Sequence, residues 1–193
     1  MIQTLRSPLA PELVPARISL EQYHRMVEAG VWDDCPVELL NGVVVEMSPE
    51  GIPHAYRSTT TGEYLRELLG NQVQIREGHP ITIPSSQSEP EPDIAIVQRL
   101  GEEYSLHHPY PENIFWVIEY ANTSLKKDLN VKSKTYAAAG IAEYWVINLQ
   151  KNELVVMRDP VDGEYQSQVI LKVGSITPLA FPDVVIDVAR LLR

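Results

Sequence analysis

The sequence predicts an α/β fold: a mixed central sheet flanked by helices, with a C-terminal antiparallel meander. Three observations carry this reading. First, Asn113 to Asn148 reads strand–helix–strand: an apolar run Ile114-Phe115-Trp116-Val117-Ile118, a helix over Lys126–Ala139 stopped by Gly140, and a second run Tyr144-Trp145-Val146-Ile147. Such a crossover builds a parallel pair, and an apolar run without alternation is a strand covered on both faces. Second, Glu153–Arg158 and Glu164–Leu171 flank the turn Asp159-Pro160-Val161-Asp162-Gly163 and extend the sheet as a meander. Third, no repeat or linker divides the 193 residues, of which 44% are hydrophobic and 22% charged, enough for one core. The expected organisation is an extended N-terminal arm over residues 1–17, rich in Pro8, Pro11 and Pro15, and a single domain over 18–193.

The elements follow in order. Ser19 with Gln22 forms a capping box, and Leu20, Tyr23 and Val27 give a short amphipathic helix ending at Gly30. The run Val37 to Val45, with Asn41-Gly42 at its centre, is a hairpin with Glu38 opposite Val45 and on the face of Leu40 and Val43. A helix is expected over His54–Leu69, its packing stripe Ser58, Gly62, Leu65 and Leu69 small enough for close approach to a sheet. Val73–Glu77 and Ile81–Ile83 read as short strands, Pro84–Pro92 as a loop, and Asp93–Val97 as a strand that starts on an acid behind Glu91-Pro92. Gln98–Glu112 reads as an exposed loop; its adjacent His107 and His108 are a weak metal signal. Asp187–Leu192 reads as a short terminal helix.

Composition narrows the class of protein. A single Cys35 excludes an internal disulfide and fits a reducing compartment. No apolar run reaches membrane-spanning length and no signal-like segment opens the chain, so a cytoplasmic protein with no membrane partner is expected. The formal charge of −10 argues against a generic nucleic-acid coat but leaves room for a nuclease whose carboxylates bind metal. Four of the six lysines lie between Lys126 and Lys134.

Three acids stand at strand positions: Glu38, Asp93 and Glu119. A carboxylate ending a buried strand is costly unless something pairs with it. At 100° per residue, Leu125, Leu129, Lys132, Tyr136 and Ala139 share one helix stripe, whereas Lys126, Lys127 and Lys134 point mostly outward. From pattern alone, Lys132 either snorkels to water or meets Glu119 at the strand end. Glu38 likewise either reaches solvent from an edge strand or joins the other acids. Carboxylates gathered in one cleft repel unless a cation holds them, and oxygen ligands completed by water and phosphate suit Mg²⁺. Gly-rich dinucleotide loops, P-loops, H-E-x-x-H, paired C-x-x-C and G-x-S-x-G elbows are absent.

Pro92-Asp93 followed by Glu119 on an apolar strand resembles the PD-(D/E)XK restriction-endonuclease-like superfamily. A wider pattern, from about residue 18 to the C-terminus, resembles the Uma-two endonuclease family (DUF820-like). It comprises Val37-Glu38-Leu39-Leu40-Asn41-Gly42, Ser48-Pro49 with His54, Glu91-Pro92-Asp93, Val117-Ile118-Glu119, Thr123-Ser124 with Asp128 and Lys132, and Tyr136 through Trp145. The resemblance implies a restriction-endonuclease-like core and Mg²⁺-dependent phosphodiester hydrolysis; DNA is the expected substrate, and Mn²⁺ the alternative metal. It implies Asp93 and Glu119 as metal ligands, Glu38 as a third acid and ligand, Lys132 as the water-orienting cation and His54 as a phosphate contact. The superfamily's lysine position two residues after the second acid holds Ala121 here, and the resemblance moves that lysine to Lys132. Tyr136, Tyr144 and Trp145 are read as packing residues. A homodimer formed through the meander edge is expected. The competing readings are a catalytically silent interaction protein on the same scaffold, and a phosphodiesterase acting on RNA or small nucleotides.

Overall fold

The computed structural model describes residues 15–193; residues 1–14 of the expected arm lie outside them. Helix α1 (Leu20–Glu28) starts on the expected capping box, Ser19 and Gln22 exchanging side-chain and backbone hydrogen bonds. Its buried Tyr23 donates to the Val37 carbonyl at 3.0 Å, which ties α1 to the hairpin of β1 (Val37–Leu40) and β2 (Val43–Glu46). Asn41 and Gly42 have φ of 52° and 73°, the left-handed pair that this two-residue turn requires. The register puts Glu38 opposite Val45, as the turn dictates.

Helix α2 (Ile52–Leu69) begins two residues earlier than expected, with Pro53 in its first turn, where a missing N–H costs nothing. Gly62 faces the Glu77 side chain: a Cβ there would meet a Glu77 carboxylate oxygen at 1.6 Å, and that flexible side chain would have to swing aside. The helix packs on β3 (Gln74–Glu77), where its Arg66 pairs with Glu77 at 2.7 Å.

The main sheet has six strands in the order β3, β4 (Ile94–Val97), β5 (Ile114–Ala121), β6 (Glu143–Asn148), β7 (Glu153–Val161) and β8 (Glu164–Leu171). Only β5 and β6 run parallel; the other neighbours are antiparallel, and β6–β8 is the expected meander. Side chains of β5 alternate between two cores. Trp116, Ile118 and Tyr120 pack with Leu65, Leu69 and Leu191 on one face, and Val117 and Ala121 pack with Tyr136 and Ile141 on the other. A strand covered on both faces explains the unalternating apolar run. Small elements close the chain: β9 (Ser175–Ile176), β10 (Ile186–Asp187) and α5 (Val188–Leu192), which Asp187 caps through the Ala189 N–H. No helix among the described residues is long and apolar enough to cross a membrane.

Three expectations change. Ile81–Ile83 is not a ladder strand: its amides go to Pro90, Pro109 and Ser88 in turn, so no single neighbour pairs with it. Strand β5 does not end on Glu119 but runs through Ala121, because Tyr120 and Ala121 still pair with Ile147 and Asn148. The Tyr120 hydroxyl reaches Thr61 at 2.5 Å, so the residue after Glu119 still lies inside the core. The crossover helix is not continuous either. It consists of α3 (Leu125–Lys127), a π-helical turn over Asp128–Lys132, and α4 (Ser133–Ala138).

Candidate active site

The ends of β1, β4 and β5, the π turn and the start of α2 surround one cleft of about 490 Å³. Asp93 sits just before β4. Past the last β4–β5 pair, Ile94 with Ile118, the Tyr120 N–H donates to Asp93 Oδ2 at 2.5 Å. The other oxygen, Oδ1, lies 3.0 Å from His54 Nε2. That nitrogen is buried and lacks the alignment of a hydrogen bond. Burial pushes the His54 pKa down, but Asp93, Glu50 and Asp128 outweigh it and raise it above its ordinary value.

Glu119 lies on the opposite face of β5 from Tyr120. Its Oε1 accepts from Lys132 Nζ at 2.7 Å and from the Tyr136 hydroxyl at 3.1 Å. Among the described residues, no hydrogen bond or ion pair engages Oε2. Burial, reinforced by the charges of Asp93 and Asp128, raises the Glu119 carboxyl well above its usual range although Lys132 opposes it. Lys132 is 3% exposed, and the carboxylates of Glu119, Glu38 and Asp128 overcome its burial and hold it as an ammonium.

Glu38 is fully buried on β1 and both its oxygens are taken. Oε1 meets Lys127 Nζ at 2.7 Å, while Oε2 lies 3.1 Å from Lys132 Nζ and accepts from the Glu91 N–H at 3.3 Å. Burial raises its pKa, but Lys132 and Lys127 prevail and hold it below the ordinary value. The structure therefore brings Glu38, Asp93, Glu119, Lys132 and His54 to one cleft.

Lys127 corrects the expectation of an outward-pointing lysine. The π turn is the cause: the Ser133 N–H reaches back to the Asp128 carbonyl. An α-helix would set residues five apart about 140° around its axis, whereas an i→i+5 turn brings them onto nearly one side. Lys127 and Lys132 are such a pair. Lys134 does point outward, to Glu164.

Further residues join that sequence reasoning assigned no role. Asp128 is 2% exposed, its carboxyl raised by burial against the pull of Lys132. Its motif position beside Ser124 was the one available signal. Tyr136 is more than packing, since its hydroxyl holds Glu119. Tyr144 donates to the Asp128 carbonyl at 3.3 Å and steadies the π turn. Glu91 and Arg57 line the cleft, and burial raises the Glu91 carboxyl. Glu50, His54 and Asp93 each offer a ligand atom within 4.8 Å of the others. His107 and His108 take no part; His107 stacks on Tyr110 instead.

This donor set fits a divalent cation. It offers hard carboxylate oxygens, an unaligned buried imidazole nitrogen, and more acids than nearby ammonium groups neutralise.

Comparison with known proteins agrees with this architecture. A solved structure described as a "putative nuclease belonging to DUF820 from Anabaena variabilis ATCC 29413" superposes with a TM-score of 0.65 at 12% identity, covering 91% of this chain and 97% of that one. At that identity the likeness speaks for the fold alone. No curated protein matches the chain. The Uma2 family model, described as "Putative restriction endonuclease", matches residues 20–189. With nearly its whole described length matched, the chain belongs to the Uma2 family.

Proposed function

We propose that this protein is a metal-dependent endonuclease that hydrolyses phosphodiester bonds in DNA. One observation carries the reading: Lys132 Nζ stands 2.7 Å from Glu119 in the cleft that also holds Asp93, so the helix delivers the ammonium that the strand lacks at Ala121. In this reading Asp93 and Glu119 hold Mg²⁺ or Mn²⁺, with His54 and Glu50 completing the set on the open side. The bound cation supplies Lewis-acid polarisation of the phosphoryl group and neutralises charge building on it.

The chain's own groups do the rest. Tyr136 and Lys132 occupy Glu119 Oε1, which leaves Oε2 to face the cleft. Lys132 orients the attacking water and stabilises developing negative charge from a dry, pre-organised position. Glu38, both of whose oxygens are engaged, serves as the acid that holds Lys127 and Lys132 rather than as a metal ligand. Arg57 lines the cleft without a carboxylate partner among the described residues, and it takes the phosphate contact expected of His54. Gln166–Leu171 on edge strand β8 carries no charge and exposes Val169 and Ile170 at 47% and 53%, which supports pairing of two copies along that edge. Light scattering showing a monomer would remove the dimer.

Cleavage of circular single-stranded DNA and nicking of supercoiled plasmid, each with Mg²⁺ and with Mn²⁺, test the activity. Asp93→Ala and Lys132→Ala should each lose at least about 100-fold in rate. Lys132→Arg should fail as well, because a planar fork does not replace a compact ammonium. Equal cleavage by wild type and both alanine variants would sink the site.

A further inference from the structure

Beside the cleft mouth, α2 carries an unpartnered ridge. Ile52 is 88% exposed and Tyr56 63% exposed, one helical turn apart on the same side. The next residue, Arg57, turns into the cleft and lies near Tyr120 at the Asp93 end. Among the described residues no carboxylate pairs with Arg57, in contrast to Lys127 and Lys132, which Glu38 holds. An exposed aromatic ring next to an uncommitted guanidinium is the pairing that receives one nucleotide: base on the ring, phosphate on the fork.

The charge distribution decides between strand and duplex. A duplex presents about one negative charge per 1.7 Å of axis, and gripping it takes a row of cations. This chain carries −10 overall, places exposed Glu50 at the same rim, and commits two of its cleft lysines to Glu38. Few phosphates can be neutralised, so affinity has to come from stacking. Stacking on Tyr56 requires a base that is not paired within a helix.

We infer that Tyr56 and Arg57 form a nucleotide-receiving rim, and that the substrate is single-stranded or locally unpaired nucleic acid rather than intact duplex. This rests on the phosphodiesterase reading of the adjacent cleft and names the substrate class for it.

Fluorescence anisotropy tests it with labelled, phosphorothioate-linked probes in the presence of Mn²⁺: a short single strand and a blunt hairpin duplex with the same number of phosphates. Wild type should bind the single strand at least about tenfold more tightly than the duplex. Tyr56→Ala should lose about tenfold on the single strand while Tyr56→Phe retains binding. Arg57→Ala should weaken the single strand and flatten its salt dependence by about 0.7 in log–log slope. Equal affinity for the two probes, no binding to either, or a Tyr56→Ala protein indistinguishable from wild type would overturn the inference. Unchanged melting temperature of Tyr56→Ala checks the fold, as expected for so exposed a ring. Cleavage is read separately. Absent hydrolysis with Tyr56-dependent strand binding removes the nuclease reading alone, and Tyr56-independent cleavage of duplex removes the rim alone.

Discussion

Two buried glutamates on adjacent parallel strands have opposite surroundings. Glu143, at the start of β6, is fully buried, and both its oxygens are occupied. Oε1 takes the Trp145 indole N–H at 2.7 Å and two Arg158 nitrogens at 2.9 and 2.6 Å, and Oε2 takes the Leu179 N–H at 2.7 Å. Glu119 on β5 is nearly as buried, yet its two donors crowd onto one oxygen and its charged neighbours include Asp93, Asp128 and Glu38. The first carboxylate is a closed junction that ties the C-terminal segment to the sheet. The second is left partly unsatisfied in an acid-rich cleft, an arrangement that costs stability and makes sense when a cation completes it. Burial alone distinguishes nothing; the count of donors per oxygen does.

That contrast can be broken by experiment. The largest effect is expected from Glu143→Ala, which leaves Arg158 with only the Thr177 carbonyl, strands two N–H donors and should cost about 3 kcal/mol in urea unfolding. Glu119→Gln should leave the metal-free protein at least as stable as wild type while abolishing hydrolysis. A loss at Glu119→Gln as large as that at Glu143→Ala would erase the distinction.

Metal addition comes next. Mn²⁺ at about 100 times its dissociation constant should add about 2.7 kcal/mol to wild type and nothing to Asp93→Asn. An imidazole in the donor set should make Mn²⁺ more effective than Mg²⁺, and His54→Ala should remove that preference in the same thermal-shift measurement.

The pH dependence follows from the direction of each shift. A carboxyl raised in the folded state binds its proton more tightly there, so it stabilises the fold at low pH and loses that contribution as pH climbs from its ordinary 4.5 through the folded value. The metal-free melting temperature should therefore fall across that window, and Glu119→Gln should flatten the decline. Glu38 acts in the opposite sense, its stabilisation disappearing as pH drops below 4.5, so the measurement belongs above that value. A wild-type curve already flat above 4.5 would contradict the raised Glu119. The smallest effect is expected from Tyr136→Phe: about 1 kcal/mol for one lost hydrogen bond, with weaker Mn²⁺ binding as Glu119 loses one of its two anchors.

Much of this was legible beforehand, for identifiable reasons. Acids interrupting apolar strands, Glu38 and Glu119, announce themselves because burial of charge is costly, and Lys132 shares a helical stripe with apolar residues. The crossover, the hairpin register and the meander follow from periodicity and turn residues. Lys127 was hidden because the stripe argument assumes 100° per residue, and the π turn breaks that assumption. Tyr136 was assigned to the right face, but periodicity says nothing about where a hydroxyl points. The approach of His54 to Asp93 depends on how closely α2 docks, a tertiary distance that no local pattern carries. Ile81–Ile83 has strand composition but its three amides find three different partners, which no local pattern encodes.

The π turn has one more consequence, in the kinetics of amide exchange. Its five residues give up regular i→i+4 bonding between two helical segments, and they carry Asp128 and Lys132 into the cleft. Elements that serve ligands are drawn from the less stable end of a fold's local opening energies. Amide protons of Asp128–Lys132 should accordingly exchange with deuterium sooner than those of α4, although both belong to one crossover, and cation binding should slow the first group far more than the second.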